Sequence, residues 1–172
     1  MLKELKVKRA INGDEKAFIS IIEEQKEKLY KTAYAYVKNE QDALDIVQET
    51  VYKAYISIDT LIKPKYFNTW LTKILINISI NTLNKNKKVT YLEEEPMAEG
   101  STTLDNKDTE IDILNELDKL DKKYKDVIVL KYFEDLTIKE IASVLEIPIG
   151  TAKTYLNRGL TSLRISIGKD EL

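Results

Sequence analysis

The sequence predicts an all-α protein built as two small helical domains joined by a flexible linker. Three observations carry that expectation. Apolar residues recur with a 3.6-residue period in several long segments, and no stretch alternates as a half-buried strand would. The chain has 172 residues but only 5 Gly and 3 Pro, too few for a fold rich in hairpins. The stretch 86–110 holds Asn, Lys, Pro96, Gly100 and Ser101-Thr102-Thr103 without a sustained period, and it separates two groups of helical segments. The domains read from it are 1–85 and 111–172, with 86–110 as an acidic flexible linker. An apolar fraction of 43% beside 33% charged residues is ordinary for a folded soluble chain.

Asn12-Gly13-Asp14-Glu15 opens the first helix, with Ala17, Phe18, Ile21, Ile22, Leu29, Ala33 and Val37 on one side. Asn39, with Asp42 three residues on, caps a second helix running to about Ile58. On a helical wheel Ala43, Leu44, Val47, Val51, Ala54 and Ile58 form its core-facing stripe. Asp42, Asp45 and Glu49 fall within about 60° of one another on the opposite side. Ile46 sits beside these acids rather than in the core stripe, and Gln48 lies on their far flank. Clustered carboxylates repel and weaken a helix slightly. On one exposed helix they lack the converging ligands of a metal site. Beyond a merely solvated face, docking against a basic partner accounts for both the acids and an exposed Ile46.

Pro64 fits the first turn of a third helix, where its missing N–H costs nothing. That helix carries Phe67, Trp70, Leu71, Ile74, Leu75 and Ile78 on one stripe and ends near Asn84. Trp70 shares the stripe and is expected in the core. The linker of roughly 25 residues can extend to about 80 Å, more than two turns of B-DNA at about 34 Å each.

A second helical unit starts near Ile111. Within it Thr137-Ile138-Lys139-Glu140 reads as a capping box opening a short helix with Ile138, Ile141, Ala142 and Leu145 toward the core. Glu146-Ile147-Pro148 makes the turn, because Pro148 cannot continue that helix. Glu146 stands where such turns often carry Gly. The next helix buries Ala152, Leu156, Leu160, Leu163 and Ile167 and presents Thr151, Lys153, Thr154, Asn157 and Arg158 opposite. Those are side chains suited to a major groove: Arg and Lys for guanine edges and phosphates, Asn for adenine edges.

There are no Cys and no His. That excludes disulfides, zinc fingers, thiolate nucleophiles and histidine acid–base chemistry. Carboxylate or lysine catalysis remains open, but nothing supplies a base, nucleophile and oxyanion site together, so no catalytic residue, metal or cofactor is expected. Met1-Leu2-Lys3-Glu4 does not open a signal peptide, and no apolar run reaches membrane-spanning length, which predicts a cytoplasmic protein without membrane insertion. The net charge is only −2 but strongly segregated. Residues 63–89 hold Lys63, Lys65, Lys73, Lys85, Lys87 and Lys88 without an acid, and 149–169 hold Lys153, Arg158, Arg164 and Lys169 without an acid. Between them, 91–121 is strongly acidic. Two cationic blocks flanking an anionic spacer point to two contacts with a polyanion.

Taken together, these segments resemble the extracytoplasmic-function sigma factors of the sigma-70 family. Asp42-Ala43-Leu44-Asp45-Ile46-Val47-Gln48-Glu49-Thr50 resembles the family's most characteristic segment, which docks on RNA polymerase. Phe67-Asn68-Thr69-Trp70-Leu71-Thr72-Lys73-Ile74 resembles its next signature. The run Val129–Thr137, with Ile141-Ala142 and Ile149–Thr154, resembles the C-terminal −35 module. The resemblance runs from about residue 14 to 165, weakest in the linker. It implies sigma region 2 in the first domain, binding core RNA polymerase and the −10 element, and sigma region 4 in the second, binding the −35 element.

By the same resemblance, Asp42, Asp45, Ile46, Gln48 and Glu49 dock on core polymerase. Lys73, Asn77, Asn81 and Lys85 face the −10 element, and the loop Ser57–Ile62 receives a flipped base. Lys131, Thr151, Lys153, Thr154, Asn157 and Arg158 contact the −35 element. Tyr155, Ile76, Asn84 and Asn86 stand where relatives often carry Arg or Lys, which implies fewer phosphate contacts and weak DNA binding by the free protein. An anti-sigma factor, often membrane-anchored, is a further implied partner. The main rival is a helix-turn-helix regulator sharing only the C-terminal module, with an unrelated N-terminal helical domain. It needs a ligand cavity or phosphoacceptor pocket in residues 1–85. An adaptor without DNA contacts leaves both cationic blocks without a role.

Overall fold

The computed structural model describes residues 1–92 and 107–170, and the regular structure within them is helical. Helices α1 (Leu2–Ile11), α2 (Glu15–Val37), α3 (Glu40–Ser57) and α4 (Phe67–Leu92) form the first unit, with short 3₁₀ turns at Ile58–Thr60 and Pro64–Tyr66 between α3 and α4. Helices α5 (Lys107–Asp118), α6 (Lys122–Tyr132), α7 (Ile138–Leu145) and α8 (Ile149–Asp170) form the second.

Local chemistry sets most boundaries. The Asp14 carboxylate accepts the Ala17 N–H at 3.0 Å and starts α2. Lys38 ends α2 in the left-handed region, with φ of 51°. The Asn39 side chain accepts from the Asp42 N–H at 2.9 Å and starts α3. Pro64 opens the 3₁₀ turn that leads into α4. Thr137 and Glu140 close the expected capping box, each side chain accepting the other's backbone N–H. Glu146 adopts φ of 56°, the conformation for which a turn here favours Gly.

Several expectations are corrected. Ile46 is buried, at 1% exposure, and Leu44 is exposed instead. The reason is that α3 packs against both α2 and α4, so its buried arc runs from Ile46 through Thr50, Ala43, Ala54 and Val47 to Ile58. Thr50 is tolerated inside because its hydroxyl donates to the Ile46 carbonyl at 2.7 Å. Helix α1 had no expectation from sequence; it is held by Val7 and Ala10, both buried in the first core. Helix α4 runs past Asn84 to Leu92, and α5 begins at Lys107, so both ends of the stretch read as linker are helical. Residues 93–106 of that stretch lie outside the described residues. Ile167 is exposed rather than core, because α8, with 22 residues, outruns α6, with 11. Trp70 packs against the first core but is only half-buried rather than enclosed in it.

The two units do not hang apart. Ala35, Tyr36 and Ile76 of α2 and α4 join the same buried cluster as Leu117, Val127, Leu130, Ile141 and Val144 of the second unit. Ile76, which the sequence left as a missing cation, is thereby a core residue of the contact.

Polar groups fix that contact. The Glu134 carboxylate accepts from the Thr32 hydroxyl at 2.5 Å and the Thr72 hydroxyl at 3.4 Å. Burial, opposed by those bonds and by Lys28, pushes the Glu134 carboxyl above its usual range. The Tyr36 hydroxyl donates to Asp126 at 2.7 Å, and burial with Asp126 beside it holds that phenol well above its usual value. Lys28 pairs with Asp135 at 2.9 Å, Lys73 with Glu146 at 2.8 Å, and Lys38 with Asp118.

Candidate nucleic-acid interface

The acidic face of α3 is built by its cap and its neighbours. Asp42 is half-buried and accepts from Asn86 Nδ2 of α4 at 3.0 Å. Asp45, Gln48 and Glu49 are exposed, with the Gln41 amide donating to Asp45 at 3.1 Å and Lys53 pairing with Glu49 at 3.1 Å. Leu44 is exposed beside these polar groups, so the apolar member of this surface is Leu44 and not Ile46.

Along α4, Asn77, Asn81 and Lys85 follow at four-residue intervals, and all are exposed. Lys73 continues that row one turn earlier. Its ammonium is occupied by Glu146 at the α7–α8 turn, and this pairing holds the Glu146 carboxyl below its usual range. The loop after α3 keeps Ile62 almost wholly exposed, while Ile58 and Leu61 anchor it in the first core.

On α8, Ala152 is buried and Leu156, Leu160 and Leu163 are half-buried toward α6 and α7. The opposite side exposes Lys153, Thr154, Asn157 and Arg158, with Thr151 half-buried at the first turn. Thr154 donates to the Gly150 carbonyl at 3.0 Å, a back-bond that fixes its rotamer. Lys131 is half-buried, and its ammonium reaches back to the Leu136 carbonyl at 3.4 Å. Tyr155, at the edge of this row one turn before Arg158, packs edge-to-face on Tyr124 of α6. Three separate surfaces result, and only Lys73 among the predicted residues is drawn into the contact between units. Sequence reasoning missed Glu134 as a contact residue, although it lies inside a quoted motif. It also missed Tyr124 and Lys123 beside α8. Among the described residues no acid cluster is placed to hold a metal ion, and no helix is long and apolar enough to cross a membrane.

The profile of sigma-70 region 2 matches residues 21–89, and that of sigma-70 region 4 matches residues 110–163. The RNA polymerase sigma factor SigV of Bacillus subtilis is 37% identical over 90% of this chain and 93% of its own length. This chain belongs to the extracytoplasmic-function sigma factors of the sigma-70 family. SigW of the same organism is 33% identical over 95% of this chain and 96% of its own, and the Escherichia coli sigma-E factor 27% over 88% and 87%.

The fold agrees. The structure of CnrH in complex with the cytosolic domain of CnrY has a TM-score of 0.79 at 22% identity, covering 99% of both chains. The sigma factor RpoE of Bartonella quintana, in complex with the anti-sigma factor NepR, has a TM-score of 0.67 at 20% identity, covering 81% of this chain and 89% of that one. As a sigma factor, the chain directs promoter-specific initiation by RNA polymerase. The region 2 match over 21–89 occupies the segment that a regulator with an unrelated N-terminal domain would need.

Proposed function

We propose that the unit α1–α4 carries the contacts to core polymerase and the −10 element, and that the unit α5–α8 carries those to the −35 element. The observation that supports this most is the segregation of exposed side chains by helix. On α3 the exposed face is acidic around Asp42, Asp45, Gln48 and Glu49. On α4 it is Asn and Lys at Lys73, Asn77, Asn81 and Lys85. On α8 it is Thr151, Lys153, Thr154, Asn157 and Arg158, with no acid between Ile149 and Lys169. Acids suit a basic protein surface, Asn and Lys an opened strand and its phosphates, and Arg with Lys and Asn a major groove. Lys131 fits the −35 set through its place at the end of α6, provided its ammonium leaves the Leu136 carbonyl. Lys73 is available to the −10 element once Glu146 releases it.

CnrH was solved with the cytosolic domain of CnrY and the Bartonella RpoE with the anti-sigma factor NepR, and by analogy with the latter an anti-sigma factor is the regulatory partner proposed here. Cytoplasmic residence and the absence of any catalytic role of its own follow from the same function. Transcription by core polymerase from a promoter library randomised separately at the two elements tests the assignment. Asn77→Ala is expected to alter the preferred −10 sequence and slow open-complex formation. Arg158→Ala is expected to alter −35 preference, at about 1–3 kcal/mol for a lost base-edge contact. A shift of −35 preference by Asn77→Ala, or of −10 preference alone by Arg158→Ala, overturns it.

A further inference from the structure

Resting on the assignment of α8 to the −35 element, we infer that Lys123, at the start of α6, is a further DNA contact, holding a backbone phosphate on the flank of the groove that α8 enters. Its ammonium lies 5.1 Å from the ring centroid of Tyr124 and 5.6 Å from that of Tyr155. Those two rings are themselves locked edge-to-face at 5.6 Å and 81°. A lysine on a bare helix end samples many rotamers, and fixing one costs entropy on binding. Here two aromatic faces attract the cation and confine it before DNA arrives, while leaving it charged and exposed.

The position is the relevant one. Tyr155 precedes Arg158 by one turn of α8, so the clamp lies next to the side chains directed at the groove. Tyr124, Asn157, Arg158, Thr161 and Ser162 line an open recess of about 370 Å³ on the same flank. Its lining supplies one cation, Arg158, with the Asn157 amide and the Tyr124 and Ser162 hydroxyls, and Lys123 stands beside it against the Tyr124 ring, a donor set that suits a phosphate. The nearest acids on α6 are Asp121 at its cap and Asp126, and the latter is buried against Tyr36 and Lys122. The recess is shallow and largely open, which suits a sugar–phosphate strand better than an enclosed small anion. An ammonium is a point charge without the planar fork of Arg, so Lys123 adds affinity without reading sequence.

The experiment measures binding of the full chain to a −35 duplex by fluorescence anisotropy between 50 and 200 mM salt. Lys123→Ala is expected to lower the slope of log K against log salt by about one unit, the signature of one lost phosphate contact. Lys123→Arg should retain the slope, and the base preference across a randomised −35 element should stay unchanged for both. A purely structural loss would lower affinity equally at every salt concentration and shift the thermal midpoint, leaving the slope as it was. An unchanged slope in Lys123→Ala, with Arg158→Ala still impaired, overturns the contact and leaves the −35 assignment standing. Unimpaired −35 binding by Arg158→Ala and Lys153→Ala would remove that assignment, and this inference with it.

Discussion

Asp45, Ile46 and Glu49 are near neighbours on one helix, yet they have opposite environments. Asp45 and Glu49 are exposed, whereas Ile46 is sealed between α2, α3 and α4. Asp45→Lys with Glu49→Lys should weaken capture by core polymerase while leaving the helical circular dichroism intact, with a loss of stability below about 1 kcal/mol from the Glu49–Lys53 pair. Undiminished capture by the double variant would remove the acidic face from the docking surface. Ile46→Ala should instead destabilise the chain by about 2–5 kcal/mol through the cavity it leaves. Any loss of polymerase binding in that variant should track the fraction unfolded, measured by denaturant titration. The acids were legible because charge on a helical wheel needs no tertiary knowledge. The place of Ile46 was not: Leu44 is equally apolar, and only the two-sided packing of α3 decides which of them is enclosed.

Between elements, the α6–α8 crossing turns on Gly159. A Cβ built there would lie 2.8 Å from Ile128 Cδ1 and 3.2 Å from Tyr124 Cβ. The isoleucine tip can move, but the Tyr124 Cβ is fixed to the helix. Crowding of this kind costs about 1–3 kcal/mol, against a gain of up to about 1 kcal/mol in helix propensity. Gly159→Ala should therefore destabilise the chain by about 1 kcal/mol and disturb the seat of Tyr124 against Tyr155. At Gly168 nothing lies within 4 Å of such a Cβ, so Gly168→Ala should be neutral or mildly stabilising. Thermal melts of the two variants check the contrast, and equal effects would contradict the close approach. The Thr137–Glu140 capping box and the Pro148 turn could be read from sequence, because caps and breakers act within a few residues. The close approach at Gly159 could not, since it depends on how two distant helices cross.

The contact between the two units is a property of the whole molecule and gives it a pH dependence of definite sign. Glu134 sits between Thr32 and Thr72 with its carboxyl raised above the usual range by burial. A group raised in the packed state binds its proton more tightly there than when the units separate. Its contribution to packing is therefore fully present below the ordinary carboxylate pKa and is lost as pH rises through the raised value. Lys28 and Asp135 face the same site, and Asp135, lowered by Lys28, works in the opposite direction. Its contribution is lost only as pH falls below the ordinary carboxylate range, near pH 4. Between about pH 4 and neutrality the Glu134 effect should dominate. The natural chain has no Cys, so a dye pair on Lys85→Cys and Arg164→Cys can report separation by energy transfer. Transfer should decline as pH rises toward neutrality, and Glu134→Gln should flatten that dependence. A pH response that persists in Glu134→Gln would assign it elsewhere.

Composition and periodicity were enough to predict a helical fold, as the described residues have it, and to exclude thiol and imidazole chemistry, and the ordered motifs were enough for its family. Those features are local: a cap, a breaker, an apolar stripe or a cationic block follows from neighbours in sequence. What only the tertiary structure decided is which apolar residue of α3 is enclosed, where Lys73 directs its ammonium, and that Ala35, Tyr36 and Ile76 complete a core shared with the second unit. Each depends on contacts between residues far apart in the chain. Thr32 and Glu134, for example, are separated by 102 positions. Burial of a polar group is favourable only when its partner is already in place, and no pattern within a single helix specifies that partner.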